Sequence, residues 1–318
     1  MTPGPKPPSA ALRADDETAA GARKPPWLRV RLPQAAPFRA TAALLDELEL
    51  HTVCEAARCP NRGECFGAGT ATFLILGESC TRACGFCSIG RVPAHPTPPD
   101  PDEPRRVALA AARLGLSHVV VTSVTRDDLD DGGAAHYAAT IAAVHAALPW
   151  ASVEVLVPDF GGDPAALVAV IAAHPRVLNH NLETVPRLYD LVRPGASYRR
   201  SLDLLSAAAT PVTAATSAAD APAGPSPLLV KSGLMLGLGE TADEVAAVLA
   251  DCAAAGVGLV TVGQYLRPAD ACLPVARYVR PDEFAALVPL GERLGLRVDA
   301  GPFVRSSYRA AASLHRRS

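Results

Sequence analysis

Six short apolar runs recur along the chain with helix-periodic stretches between them, and this alternation limits the fold more than any other feature. The runs are ATFLILG at 71–77, HVVVTSV at 118–124, VEVLVPDF at 153–160, VLNHNLE at 177–183, LLVKSGLML at 228–236 and GLVTVGQYL at 258–266. Helical patterns lie at 103–115, 134–148, 163–173, 241–255 and 282–294, with another around 198–208. Strands separated by helices pair in parallel, because each crossover returns the chain to the same end of the sheet. Six such units are too few for the usual closed eight-stranded barrel. The expectation is an α/β fold, an open partial TIM-type (βα)6 barrel. A doubly wound sheet is the alternative, because periodicity does not decide closure.

Six of the eight cysteines fall in two triplets between residues 54 and 87. Cys80, Cys84 and Cys87 form C-x3-C-x2-C directly after the first apolar run. Three thiolates can each hold an iron of a [4Fe–4S] cube and leave the fourth iron open. A cube that only carries electrons normally takes four protein ligands, so an open iron argues for chemistry at the cluster. Zinc is the alternative, but a structural zinc site needs four ligands and no second C-x2-C pair partners this triplet. Disulfides among cysteines this close in one loop would be strained. Cys54, Cys59 and Cys65 form a second triplet in CEAARCPNRGEC, where Pro60 and Gly63 permit a tight reversal. Cys252, in an alanine-rich helical pattern, reads as a small buried apolar residue. Cys272 lies in the loop RPADACLPV, open to solvent, with nothing in its spacing to place it near a cluster.

A formal net charge of -2 supplies no global attraction to nucleic acid. No apolar stretch is long enough to span a bilayer, and the proline-rich start lacks a signal-peptide core. Oxygen-labile clusters and free thiols fit a reducing cytoplasm. Residues 1–24 read as a disordered tail, and 25–70 as an N-terminal extension that carries the second triplet. The partial barrel then occupies 71–280, with a flexible insertion at 206–227. Residues 281–318 supply a C-terminal helix and the segment RSSY.

Polar residues close several of the expected strands: Ser123 after the second, Asn181 and Glu183 after the fourth, Lys231 within the fifth. Such groups can converge on a ligand at one barrel face, although each alone would also serve as a helix cap or local hydrogen-bond partner. The run GLMLGLGE lacks GK[ST] and does not match GxGxxG, so it is not a phosphate loop. Its glycines instead permit close backbone approach to a ligand. Thr241 and Glu244 have the spacing of a capping box, and RDD at 126–128 reads as a salt-bridged loop or a metal-binding acidic cluster.

The Cys80–Cys87 motif resembles the radical S-adenosylmethionine superfamily, and the pair of triplets narrows the resemblance to the lipoyl synthase family. The phrases CEAARCPNRGEC, ATFLILGESCTRACGFCSI, VTSVTRDDLDDGGAAHY, NHNLETVPRLYDLVRPGASYRRSL, KSGLMLGLGE, TVGQYLRP and GPFVRSSYRA carry it, in order, over roughly residues 25–315. Departures are Gly161 where the family usually has arginine, Val230 where threonine is common, and Cys272 where histidine often stands.

The resemblance implies two [4Fe–4S] clusters and S-adenosylmethionine as cofactors. Cys80, Cys84 and Cys87 would hold the radical-generating cluster. Cys54, Cys59, Cys65 and Ser306, from the RSSY segment, would hold an auxiliary cluster covered by the N- and C-terminal extensions. Ser123, Asn181, Glu183, Arg193 and Glu240 would contact S-adenosylmethionine. The implied reaction inserts sulfur at C6 and C8 of an octanoyl chain on a lysine of a carrier protein. An octanoylated lipoyl carrier domain or glycine-cleavage carrier protein would be the partner, with an electron donor and a cluster-assembly or repair protein; no nucleic acid or membrane would be involved, and the chain would be a monomer. A radical methylthiotransferase is the rival enzyme class, and an iron–sulfur electron carrier the non-catalytic one.

Overall fold

All six expected strands form, and they pair in parallel in the order in which the chain makes them. The structure, a computed structural model, describes residues 24–30, 35–91, 97–210 and 227–315. The central sheet comprises β1 (His51–Thr52), β2 (Thr72–Ile75), β3 (His118–Ser123), β4 (Ser152–Leu156), β5 (Val177–Asn179), β6 (Leu229–Leu236), β7 (Leu259–Gln264) and β8 (Arg297–Gly301). β1 is antiparallel to β2, and every later neighbour is parallel. No hydrogen-bonded ladder joins β1 to β8 among the described residues, so the barrel is partial.

Helices cover the outer face where the apolar periodicity places them: Glu103–Arg113, Ala134–Ala147, Pro164–Ala172, Tyr198–Ala209, Ala242–Ala254 and Pro281–Arg293. Strands covered on one face and lining the barrel on the other are buried along their length. Phe73, Ile75, Val119, Val121, Val153, Val155, Val260 and Val262 are accordingly fully buried. Local signals set the helix starts. Asp163 accepts a hydrogen bond from the Ala165 amide ahead of Pro164, and Thr241 and Glu244 close the expected capping box. Cys252 is buried in the core as expected.

β8 is the element that periodicity did not indicate. Its Arg297 and Asp299 alternate with only Val298 and Ala300, too weak an apolar signal for a strand. Parallel pairing with β7 from Arg297–Leu259 to Gly301–Gly263 creates it. The expected tail at 1–24 lies almost wholly outside the described residues, as does most of the insertion at 206–227, whose first residues complete the helix ending at Ala209. Among the described residues no helix is long and apolar enough to cross a membrane.

Candidate functional site

The loop with Cys80, Cys84 and Cys87 leaves β2 at the C-terminal end of the sheet and is anchored to its neighbours. Thr81 N donates to Thr125 O at 2.9 Å, Gly85 N to Val192 O at 2.9 Å, and Leu273 N to Gly85 O at 2.8 Å. Arg82, between the first two cysteines, makes paired hydrogen bonds to Asp127 at 2.9 and 3.0 Å. It reaches the buried Asp159 at 2.5 and 2.9 Å, and Arg200 meets the same carboxylate at 2.8 Å. RDD at 126–128 is therefore an ion-paired loop, with Asp128 held by Arg126.

The three cysteines line a cavity of about 490 Å³ together with Ser123, Asn181, Glu183 and Arg193. Asn181 Nδ2 donates to Glu183 Oε1 at 3.0 Å, and burial holds the Glu183 carboxyl above its ordinary range. Glu183 has a φ of 68°, a left-handed conformation that turns its side chain off the strand path and toward the cavity wall. Arg193 reaches Asn181 O at 2.8 Å and Tyr189 Oη at 2.7 Å, so it fixes the loop as well as lining the cavity. Four of the five residues expected to contact S-adenosylmethionine thus meet at one cavity.

Glu240 is the exception. Its carboxylate accepts from Gly237 N at 2.5 Å and Leu238 N at 2.9 Å, which closes the glycine turn after β6 and keeps Glu240 out of the cavity lining. Cys272 also departs from expectation. It is buried, lines the same cavity as Cys80, Cys84 and Cys87, and directs its thiol toward Cys87 O at 3.5 Å. Chain spacing gave no hint of this proximity, because the loop after β7 folds back across the cysteine loop.

Cys54, Cys59 and Cys65 surround a separate cavity of about 100 Å³ beside His118, Arg305 and Ser307. Cys54 starts from a short helix capped by Thr52, and Cys65 lies on the helix Arg62–Gly67. The C-terminal segment closes this cavity. Asn61 Nδ2 donates to Phe303 O at 2.7 Å, while Tyr308 and Arg309 both bind the Glu64 carboxylate. The segment also approaches the barrel strands closely. A Cβ at Gly233 would lie 2.7 Å from Ser306 Oγ, and one at Gly263 would collide with Val304 O.

Within that segment the two serines diverge. Ser306 Oγ donates to Asn181 Oδ1 at 2.9 Å, and Ser306 is absent from the lining of the three-cysteine cavity. Ser307 lines it. Ser306 does line a neighbouring cavity together with Cys54, Cys59 and Ser307, so both serines border cysteines of the second triplet and only Ser307 also lines the cavity ringed by all three.

A third cavity, of about 210 Å³, lies between the two cysteine sites and shares lining residues with both. It shares Cys87, Asn181 and Glu183 with the first, and Cys54, Cys59 and Ser307 with the second. Phe86, Leu234, Met235, Tyr265 and Leu266 give it apolar walls.

The donor sets fit iron–sulfur cubes. Each triplet rings a cavity, as ligands to different irons of one cube require. Burial pushes the Cys54 and Cys87 thiols up to about 12 and Cys65 to about 11. Positive iron beside them would reverse that preference, because coordination deprotonates a thiol outright.

Residues 74–252 match the radical SAM superfamily, and residues 11–59 match the N-terminal domain of lipoyl synthase of that family. A lipoyl synthase of Nitratidesulfovibrio vulgaris is 55% identical over 95% of this chain and 96% of its own length. A lipoyl synthase of Trichlorobacter lovleyi is 56% identical over 91% of this chain and 98% of its own. Among solved structures, HydG, a maturase of the [FeFe]-hydrogenase, superposes with a TM-score of 0.54 at 14% identity, over 83% of this chain and 63% of that one. Methylornithine synthase gives 0.52 at 16%, over 81% and 74%. These distant likenesses establish the partial-barrel fold, and the close relatives establish the family. This chain belongs to the lipoyl synthase family of radical S-adenosylmethionine enzymes.

Proposed function

We propose that the chain inserts two sulfur atoms, at C6 and C8, into an octanoyl group attached to a lysine of a carrier protein. The apolar chamber that shares walls with both three-cysteine cavities carries this reading. An octanoyl chain is an unbranched apolar guest, and Phe86, Leu234, Met235 and Tyr265 offer it the matching surface. Its C–H bonds have no acidic proton for a base, which suits radical chemistry in a site that holds the target carbon close and excludes other hydrogen donors. Cys80, Cys84 and Cys87 would hold one [4Fe–4S] cluster; Cys54, Cys59 and Cys65 would hold the second, with a serine of the RSSY segment. When bound, these clusters would supply the electron that cleaves S-adenosylmethionine to a 5'-deoxyadenosyl radical and the sulfur atoms for insertion.

The chain's own groups position the reactants. Asn181 and Glu183 line both the first cavity and the apolar chamber, and Arg193 lines the first cavity, where polar groups can bind and orient S-adenosylmethionine. Ser123 adds a buried hydroxyl with no hydrogen-bond partner among the described residues. The partner would be a lipoyl or glycine-cleavage carrier domain, with a one-electron donor and a cluster-assembly protein. A reducing cytoplasm keeps six ligand thiols free. The test is anaerobic incubation with reductant, S-adenosylmethionine and octanoylated carrier. Lipoyl product with up to two 5'-deoxyadenosines per product is expected. Cofactor cleavage with no carrier modification overturns the reading.

A further inference from the structure

The barrel interior holds a charged group that none of the foregoing chemistry uses. Lys231 and Glu154 are each only 1% exposed, and Lys231 Nζ donates to Glu154 Oε1 at 2.8 Å. The same ammonium donates to the backbone carbonyl of Ser306, 75 residues later in the chain. On the far side of the carboxylate, His118 Nε2 lies 3.4 Å from Glu154 Oε2, and its Nδ1 lies 2.8 Å from Ser152 Oγ. His118 in turn lines the cavity ringed by Cys54, Cys59 and Cys65.

Burying a lysine and a glutamate is expensive even when they pair, and apolar residues of equal size would often serve the fold as well. The pair therefore calls for a role beyond filling the core. The Lys231 ammonium has donors to spare after meeting Glu154, and it directs one at the carbonyl between the two serines. A charge-assisted hydrogen bond to that carbonyl fixes the peptide plane joining Ser306 to Ser307. The plane's orientation decides which hydroxyl turns toward Asn181 and which toward the cysteines. The glycines at 233 and 263 leave room for the segment but do not orient it.

We propose that Lys231 is a positioning residue for sulfur insertion: held by Glu154 in the barrel interior, it clamps the Ser306 carbonyl and so presents the serine ligand to the auxiliary cluster. This inference rests on the reading of the second triplet as an auxiliary-cluster site. It adds a residue from β6, which reaches the site through the Ser306 carbonyl, to the set that governs that site. It also separates two steps. Lys231 itself contacts neither Cys80, Cys84 and Cys87 nor the residues offered to S-adenosylmethionine, and reaches Asn181 only through the Ser306 hydroxyl, so its loss should weaken the second half of the chemistry more than the first.

The test uses the cluster-loaded chain and the double variant Lys231→Met with Glu154→Gln, which removes both charges together and leaves no buried carboxylate unpaired. Loss of one charge-assisted hydrogen bond should speed amide exchange across 302–309 by about tenfold. The Mössbauer component of an oxygen-ligated iron should diminish, and the ratio of 5'-deoxyadenosine to lipoyl product should rise. Glu154→Gln alone keeps an oxygen for Lys231 and leaves the clamp in place, so exchange over 302–309 should stay slow. Should the double variant fail to fold, Lys231→Gln carries the same test, being neutral and too short to span Glu154 and Ser306. Slow exchange and an unchanged Mössbauer spectrum in the clamp-deficient variant overturn the inference, as does loosening by Glu154→Gln alone. A wild-type chain with one cluster, or with no lipoyl product, would instead refute the functional reading beneath it.

Discussion

Ser306 and Ser307 are neighbours in sequence and both line the apolar chamber, but only Ser307 also lines the cavity ringed by Cys54, Cys59 and Cys65. Resemblance points to a serine of RSSY, but only the folded backbone distinguishes the two, by committing Ser306 to Asn181 and turning Ser307 to the cysteines. Ser307→Ala should therefore lower lipoyl formation by at least about tenfold, the scale of losses seen around metal sites. 5'-Deoxyadenosine formation should change less, and Ser306→Ala should be milder; mass spectrometry of both products decides between them. The reverse order would return the ligand to Ser306. Glu240 and Cys272 teach the same lesson in opposite directions. One polar residue beside a glycine turn is occupied by that turn's amides, and one cysteine without a motif lies against the loop of Cys80, Cys84 and Cys87.

At the scale of elements, the cysteine loop is only as rigid as its anchors. Arg82 is 8% exposed and joins the ends of two strands through Asp127 and the fully buried Asp159. Breaking a buried pair by removing one partner typically destabilises by about 3–5 kcal/mol, because the other charge stays buried. Arg200 still meets Asp159, so Arg82→Met should cost about 3 kcal/mol, the low end of that range. Urea unfolding of the metal-free chain measures this, and the loaded variant should lose iron from the first triplet before the second. Unchanged stability would mean that Arg200 alone satisfies Asp159. The strands were legible because parallel strands under helices are apolar almost throughout. β8 was not, because an edge strand with alternating charges resembles a loop until its partner is in place.

For the molecule as a whole, the two ends of the chain complete one site. The segment after β8 reaches the extension following β1, through Asn61–Phe303 and the Glu64 contacts of Tyr308 and Arg309. The three cavities share lining residues in succession from the first triplet to the second. Each reconstituted chain should hold about eight irons and eight sulfides, as two cubes require. Replacing Cys54, Cys59 and Cys65 by alanine should leave about four irons and retain cofactor cleavage without lipoyl product. Replacing Cys80, Cys84 and Cys87 should leave about four and abolish both. Iron analysis with Mössbauer spectroscopy checks each count, and a fully active chain with a single cube would contradict the two-site arrangement.

The sequence by itself determined the parallel α/β architecture, the six strands and the two cysteine triplets. Apolar periodicity and ligand spacing are local properties, written within a few residues of one another. Only the tertiary structure decided what meets across long separations. It placed Ser307 against Cys54, Cys59 and Cys65, Cys272 against Cys87, and Lys231 between Glu154 and Ser306. It also opened an apolar chamber beside both three-cysteine cavities from residues spread across the chain. Such contacts depend on strand register and on the path of the returning C-terminal segment, which are fixed by packing and hydrogen bonding over the whole sheet rather than by any one stretch of residues.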